Sequence, residues 1–229
     1  MFLGHYGLAF AAKRAAPRTS LGALTFAAEF LDELWPVLLL IGVEHVKIVP
    51  GLMAMSPLDF TDYPISHSLL MAIGWGAAIG GIYFLLKRYG RGAWVTGLLV
   101  TSHWFLDWPM HRADLPLYPG SGTRLGFGLW NSAIATYMIE IGLYAIGVAM
   151  YARTTRAKDR IGSWGLWVYV VALLGIFLSS NRAAPPTERA LAWTTMGLWL
   201  FVLFAWLIDR HRYPVAPTGI TPAAARKAV

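Results

Sequence analysis

The chain has 229 residues, of which 57% are hydrophobic and only 14% charged, against roughly a quarter charged in an average soluble domain. With apolar runs long enough to cross a bilayer, this composition excludes an ordinary soluble domain and reads as a polytopic membrane protein. The net charge of +7 falls at the ends of apolar segments, which argues for topology and against a nucleic-acid partner, and the lack of cysteine excludes disulfides and thiolate ligands.

The chain opens on MFLGHYGLAFAAKRAAP. A secretory signal carries its positive charge before the apolar stretch, whereas Lys13 and Arg14 follow it, so the segment is read as retained. It is too short to span. As a half-helix rising from the face that holds Lys13 it reaches roughly 18 Å, bringing His5 near mid-membrane. The first span, 20–43, contains FAAEFLDELW with Glu29, Asp32 and Glu33. Glu29 and Asp32 are i, i+3 neighbours, whereas Glu33 points partly away from Asp32. Glu29 and Glu33 fit pairing with Arg or a polar crevice. Asp32 lies at the level of His5.

The second span, 65–86, opens on ISHSLL with His67 at its outer end, and its GWGAAIGGIY lets another helix approach closely. The third, 92–111, closes on SHWFLDWPMHRAD, where His103, Asp107 and His111 follow one another at four-residue intervals on one helical face. Pro109 bends the end of that helix. The fourth span, 126–151, has Asn131 at its outer start and Glu140 deep inside, read as a helix–helix contact or a functional carboxylate. The fifth and sixth are 161–181 and 189–208. The loops 44–64 and 112–125, rich in Pro, Gly and aromatics, are expected to fold over a site. His45 and His211 read as exposed loop residues, and the tail 213–229 as disordered.

Lys and Arg concentrate at one set of loop positions: Lys13, Arg14 and Arg18; Lys87, Arg88 and Arg91; Arg153, Arg156, Lys158 and Arg160; Arg210, Arg212, Arg226 and Lys227. Only Lys47, Arg112, Arg124, Arg182 and Arg189 fall on the other side. The expected fold is therefore an all-α membrane helix bundle of about six spans plus an N-terminal half-helix. It forms a single transmembrane domain over 1–212 with both termini cytoplasmic.

Ionisable groups inside a membrane cost several kcal/mol unless they have partners. Any one of these residues alone also fits a hydrogen bond to a neighbouring helix. Taken by depth from the outer face, His111 and His67 lie near the surface, Asp107 and His103 one and two turns down, and Asp32 near the middle. One cavity open to the outer side holds them all. This set fits zinc or another borderline metal, with His5 as a sixth ligand.

The ordered elements GHYGLAFAAKR, FLDELW, PLDFTDYPISHSLL, SHWFLDWPMHRADLPLYPG and GFGLWN, over roughly residues 4 to 132, resemble the predicted membrane-bound metal-dependent hydrolases. That inner-membrane family has a founding bacterial member under SOS control, and is distantly similar to the zinc-dependent phospholipase C superfamily. The resemblance implies His5, Asp32, His67, His103 and Asp107 as metal ligands, with His111 a looser match. The N-terminal Trp ligand and later HxxxE pair of the soluble enzymes have no counterpart here, which reduces the implied cluster to one or two metals, zinc first.

The expectation that follows is a metal-dependent hydrolase of the bacterial inner membrane. It acts on a lipid or lipid-linked ester or phosphoester at the outer leaflet. Asp32 and Asp107 carry the catalysis, Asp32 as ligand or base and Asp107 as a ligand bridging two metals, and Arg112, Arg124 and Asn131 contact substrate. Three rivals stand beside it: a non-enzymatic subunit or scaffold that packs against partner membrane proteins or copies of itself, a haem b protein with His67 and His103 as axial ligands, and a cation translocator using the buried carboxylates.

Overall fold

In the computed structural model the described residues are 1–180 and 184–215. Arg182, Arg226, Lys227 and the tail beyond Val215 lie outside them. The chain folds into helices α1 (Leu3–Ala15), α2 (Leu21–Leu40), α3 (Pro64–His67), α4 (Leu69–Lys87), α5 (Gly90–Met110), α6 (Ala133–Thr154), α7 (Arg160–Ser180), α8 (Glu188–Thr195) and α9 (Leu198–Arg210). Small antiparallel pairs close the loops: β1 (His45–Ile48) with β2 (Leu58–Asp62), β3 (Leu115–Pro116) with β4 (Arg124–Leu125), and β5 (Thr155–Ala157) with β6 (Arg212–Pro214). The all-α class expected from the sequence holds. Four helical segments are long and apolar enough to cross a membrane: Leu69–Lys87, Ala133–Thr154, Arg160–Ser180 and Glu188–Arg210, as in an integral membrane protein.

The helices α2 and α5 match these in length but carry the acidic and histidine residues, and they occupy the middle. The helix α2 packs against α1, α5, α8 and α9, and most of its residues are buried. The outer helices turn apolar side chains outward: Leu70, Ile73, Leu85 and Leu86 on α4, Trp164, Trp167 and Val171 on α7, and Leu200, Leu203 and Phe204 on α9 are all exposed. A bundle that is polar inside and apolar outside draws little from the hydrophobic effect between helices in lipid, so close packing and internal hydrogen bonds must hold it.

Small residues supply that close packing. A Cβ on Gly76 would come within 2.6 Å of Gly97 O, and one on Gly97 within 2.8 Å of Gly76 O. The small-residue run of the second span thus serves contact with α5 inside the chain. The helices α1 and α6 approach more closely still, for a Cβ on Gly147 would stand 1.9 Å from Gly7 O.

Two expected spans are interrupted. The second breaks at Ser68, whose extended backbone separates α3 from α4 while its Oγ caps α4 at Met71 N (3.4 Å). The last breaks at a turn through Met196 and Gly197, leaving α8 and α9 as separate helices. The fourth begins later than expected, because 126–132 form a loop and a short 3-10 helix (Leu129–Asn131) before Ser132 caps α6 at Ala135 N (3.3 Å). Tyr213 and Pro214, expected in a disordered tail, pair instead with Arg156 and Thr155, since β5 offers a free edge to the strand that follows α9.

Candidate metal centre

Elements distant in sequence bring the expected ligands together. On α5, His103, Asp107 and His111 line one wall, and all are buried. The break at Ser68 ends the short α3 at His67, which faces that wall. From the centre of α2 comes Asp32, and from α1 comes His5. The α1 N-terminus has no cap of its own. Glu140, buried on α6, supplies one: its carboxylate accepts from Phe2 N and Gly4 N, each at 3.0 Å. Two backbone donors left free by the helix end, together with its positive pole, meet one carboxylate, and this contact seats the turn that carries His5. Glu140 is therefore a helix–helix contact, as one of its two readings had it.

The distances are those of a ligand cluster. His103 Nε2 lies 3.3 Å from Asp107 Oδ2 and 3.7 Å from Asp32 Oδ2. His67 Nε2 lies 3.3 Å from Asp32 Oδ1 and 3.9 Å from Asp107 Oδ2. His111 Nε2 stands 3.8 Å from Asp107 Oδ2, and His5 Nε2 3.1 Å from Asp107 Oδ1. The Met1 backbone nitrogen also contacts Asp107 Oδ1. Zinc bonds of about 2.0–2.2 Å set tetrahedral ligands roughly 3.3–3.6 Å apart. Two sets of three, His5–His103–Asp107 and Asp32–His67–His103, each bring one ligand atom per residue within 4.8 Å of the others.

Hydrogen bonds outside the cluster fix which imidazole nitrogen faces in. His103 Nδ1 lies 2.8 Å from Ala28 O, an acceptor only, so Nδ1 carries the hydrogen and Nε2 presents its lone pair. Ser66 Oγ donates to Glu44 Oε2 (2.6 Å) and accepts from His67 Nδ1 (2.7 Å), with the same result for His67. His111 Nδ1 donates to Asp114 Oδ1 (2.9 Å). In their neutral forms the three rings thus direct Nε2 lone pairs at Asp32 and Asp107. Lone pairs and carboxylates repel unless a cation lies between them, and such outer hydrogen bonds are how proteins orient histidine ligands. Buried His103 Nε2 and His5 Nδ1 also have no hydrogen-bond partner. The donor set fits a borderline divalent metal.

Glu44 and Ser66 carry weight that the sequence did not signal. Glu44, buried in the loop after α2, also accepts from Ile65 N (2.7 Å) and Ser66 N (2.8 Å), holding the start of α3. Asp114, expected in the lid, is instead the anchor of His111, and its i, i+3 spacing from that histidine was the available signal. Tyr63 OH donates to Asp114 Oδ1 (3.0 Å), and burial together with that carboxylate pushes the Tyr63 phenol well above its usual range.

Phe60, from the loop 44–64, and Trp130, from the 3-10 helix beyond the loop 112–125, pack against the His111 ring, with centroids 4.8 and 4.3 Å away. Arg112 pairs with Asp59 and reaches Asp114 Oδ2 at 3.4 Å, while Arg124 donates to Asp114 O (3.0 Å). Asn131 is exposed at the end of the 3-10 helix. These three do not join the His–Asp cluster. Haem fits poorly, because His5 stacks on His103 at 3.6 Å and two carboxylates fill the space between His67 and His103. His45 pairs with Asp62 at the surface and His211 with Asp159, away from the cluster.

No family model, no curated protein and no solved structure matches this chain.

Proposed function

We propose that this protein is a metal-dependent hydrolase embedded in the bacterial inner membrane, acting on a lipid or lipid-linked ester or phosphoester at the outer leaflet. One observation carries the reading: the Nε2 atoms of His67, His103 and His111 converge on Asp32 and Asp107 while every Nδ1 is tied off outside. The helices α2 and α5 add two crossings to the four apolar ones, with α1 as a half-helix. The excess of Lys and Arg sets both termini in the cytoplasm. In that orientation the cluster lies toward the outer face beneath its loops.

His5, Asp32, His67, His103, Asp107 and His111 would hold one or two ions, zinc first. A bound zinc ion supplies Lewis acidity and a coordinated water of near-neutral pKa. The chain supplies the rest. Asp32, whose side chain is 23% exposed against 2% for Asp107, is the carboxylate reached from outside and can take a proton from an incoming water. Phe60 and Trp130 keep bulk water from the His111 side. Arg112, 39% exposed at the rim, is the cation that meets an anionic headgroup, braced through Asp114 by Arg124.

The test is elemental analysis of purified wild type beside His103→Ala and Asp107→Ala. Wild type should carry stoichiometric zinc, manganese or iron without a Soret band, and both variants should lose it. Equal trace metal in all three would sink the reading. Metal at full stoichiometry with silent ester and phosphoester panels would overturn the hydrolase and favour a metal-stabilised scaffold.

A further inference from the structure

A cavity of about 260 Å³ lies apart from the His–Asp cluster, on the loop side of the bundle. It sits between the end of α2 (Leu39, Leu40), the loop into β1 (Glu44) and the first turns of α8 (Glu188, Arg189, Ala192). Leu39 stands two turns beyond Asp32 on nearly the same side of α2. Glu44 is one wall of the cavity and also holds Ser66, the residue bonded to His67 Nδ1. The cavity and the centre therefore share a partition.

Three charged groups decide what the cavity can hold. Glu44 is buried, and its carboxylate is committed to Ile65 N, Ser66 N and Ser66 Oγ. Glu188 and Arg189 are exposed and form no ion pair among the described residues. As neighbours in sequence they point about 100° apart on α8, so neither neutralises the other. His45, also in the lining, is paired with Asp62. An anion alone would meet the guanidinium while facing two carboxylates, and a cation alone would leave the guanidinium unmet. A group with a phosphate and an ammonium on a short arm answers both charges. Guanidinium holds phosphate through paired hydrogen bonds, and an ammonium donates to a carboxylate.

The setting supplies such a group. The helix α8 opens the segment Glu188–Arg210, one of the four of membrane-crossing length, so its first turn stands at headgroup level when that segment spans. Around the cavity the surface turns apolar: Ile41, Val43 and Trp193 are all exposed, and tryptophan favours that interfacial depth. The volume falls below the roughly 300–1,000 Å³ that encloses a drug-sized molecule, which suits a headgroup whose acyl chains stay in the bilayer. We propose that this cavity binds a phosphoethanolamine headgroup, with Arg189 on the phosphate and Glu188 on the ammonium. Such binding needs the bilayer but no hydrolysis, and Glu44 and Ser66 link its site to His67.

The experiment is native mass spectrometry of the full chain in detergent, with phosphatidylethanolamine, phosphatidylglycerol or phosphatidylcholine of identical acyl chains added in turn. Wild type should retain the ethanolamine lipid roughly tenfold better than the other two, since glycerol brings no cation to Glu188 and choline no N–H donor. Arg189→Gln should lower that retention by roughly tenfold or more. Glu188→Gln should narrow the preference for ethanolamine over glycerol, because it removes the carboxylate that rejects an anion. Arg160→Gln, at the opposite end of the bundle, should stay within roughly twofold of wild type. Glu188 and Arg189 are exposed, so their variants should fold, which melts without lipid check, and the wild-type comparison of headgroups needs no variant. Equal retention of the three lipids by wild type overturns the proposal, as does retention unchanged in both cavity variants. An equal loss in Arg160→Gln and Arg189→Gln overturns it too, in favour of general charge attraction. Glycerophosphoethanolamine is the soluble arm: binding of it with the same dependence on Arg189 and Glu188, and none of the lipid, would uphold the site's chemistry and assign its ligand to the aqueous phase. Headgroup binding that fails leaves the metal analysis standing, and a protein without metal leaves the headgroup comparison standing.

Discussion

Two buried polar clusters lie at different levels of this bundle, and they are built on opposite rules. Where α1 ends against α9, Lys13 pairs with Asp209 Oδ2 at 2.7 Å, and Tyr151 OH donates to Asp209 Oδ1 at 2.8 Å. Nearby, Arg212 donates to Thr155 Oγ1 and Gly162 O. Donors there meet acceptors, and positive meets negative. Around Asp32 and Asp107, by contrast, three imidazole lone pairs face carboxylates while Met1 N and His5 Nε2 meet Asp107 Oδ1 alone, and Glu29 and Glu33 have no hydrogen-bond partner. A polar cluster complete in itself is a fastener; one that leaves lone pairs facing carboxylates is a receptacle. Burial alone does not distinguish them.

That contrast can be broken from either side. The largest effect is expected from Lys13→Ala, which leaves Asp209 buried without its cation and should cost about 3–5 kcal/mol of stability. Its metal content per folded molecule should be unchanged, and denaturant melts with elemental analysis would check both. Loss of metal from folded Lys13→Ala would erase the distinction between the two clusters. Next comes Gly147→Leu, whose new side chain has no room against Gly7 O. Displacing α1 should cost about 1–3 kcal/mol and weaken metal binding as His5 moves. Ser66→Ala, which leaves Glu44 Oε2 and His67 Nδ1 buried without their partner, should cost about 1–3 kcal/mol and lower metal affinity roughly 10- to 100-fold, as for other orienting partners; a denaturant melt and competition with a chelator measure the two.

The smallest expected effect is on the fastener's exposed rim. Hydrogen bonds from His211 and from Gly162 N hold the Asp159 carboxyl below its usual range. A depressed folded value contributes stability above the unfolded value and loses it as pH falls through the folded one. A slight decline in melting temperature on acidification below the ordinary aspartate range should therefore shrink in Asp159→Asn. A pH profile identical in the two proteins would remove this pair from the fastener.

What the sequence made legible follows from period and charge. The spacing of His103, Asp107 and His111 announces a shared wall because helical geometry is local, and Asp32 stands out because a carboxylate in an apolar run is rare. The breaks at Ser68 and at Met196–Gly197 were hidden because hydropathy runs unbroken across them, although a serine is a good cap signal. The anchors Glu44 and Ser66 were hidden for another reason. They meet only after the loop that follows α2 folds over α3, a pairing that no window of sequence contains.

The docking of α1 also ties the site to a helix that contributes none of its candidate ligands. His5 sits on α1, yet the carboxylate that caps this helix and the groove that admits Gly7 both belong to α6. The helix α1 packs on α2 and α5 as well, so a chain ending before residue 140 should keep all six candidate ligands and lose only the cap beneath the first. Completeness of the ligand set and closure around it are thus separate properties, and α6 bears on the second.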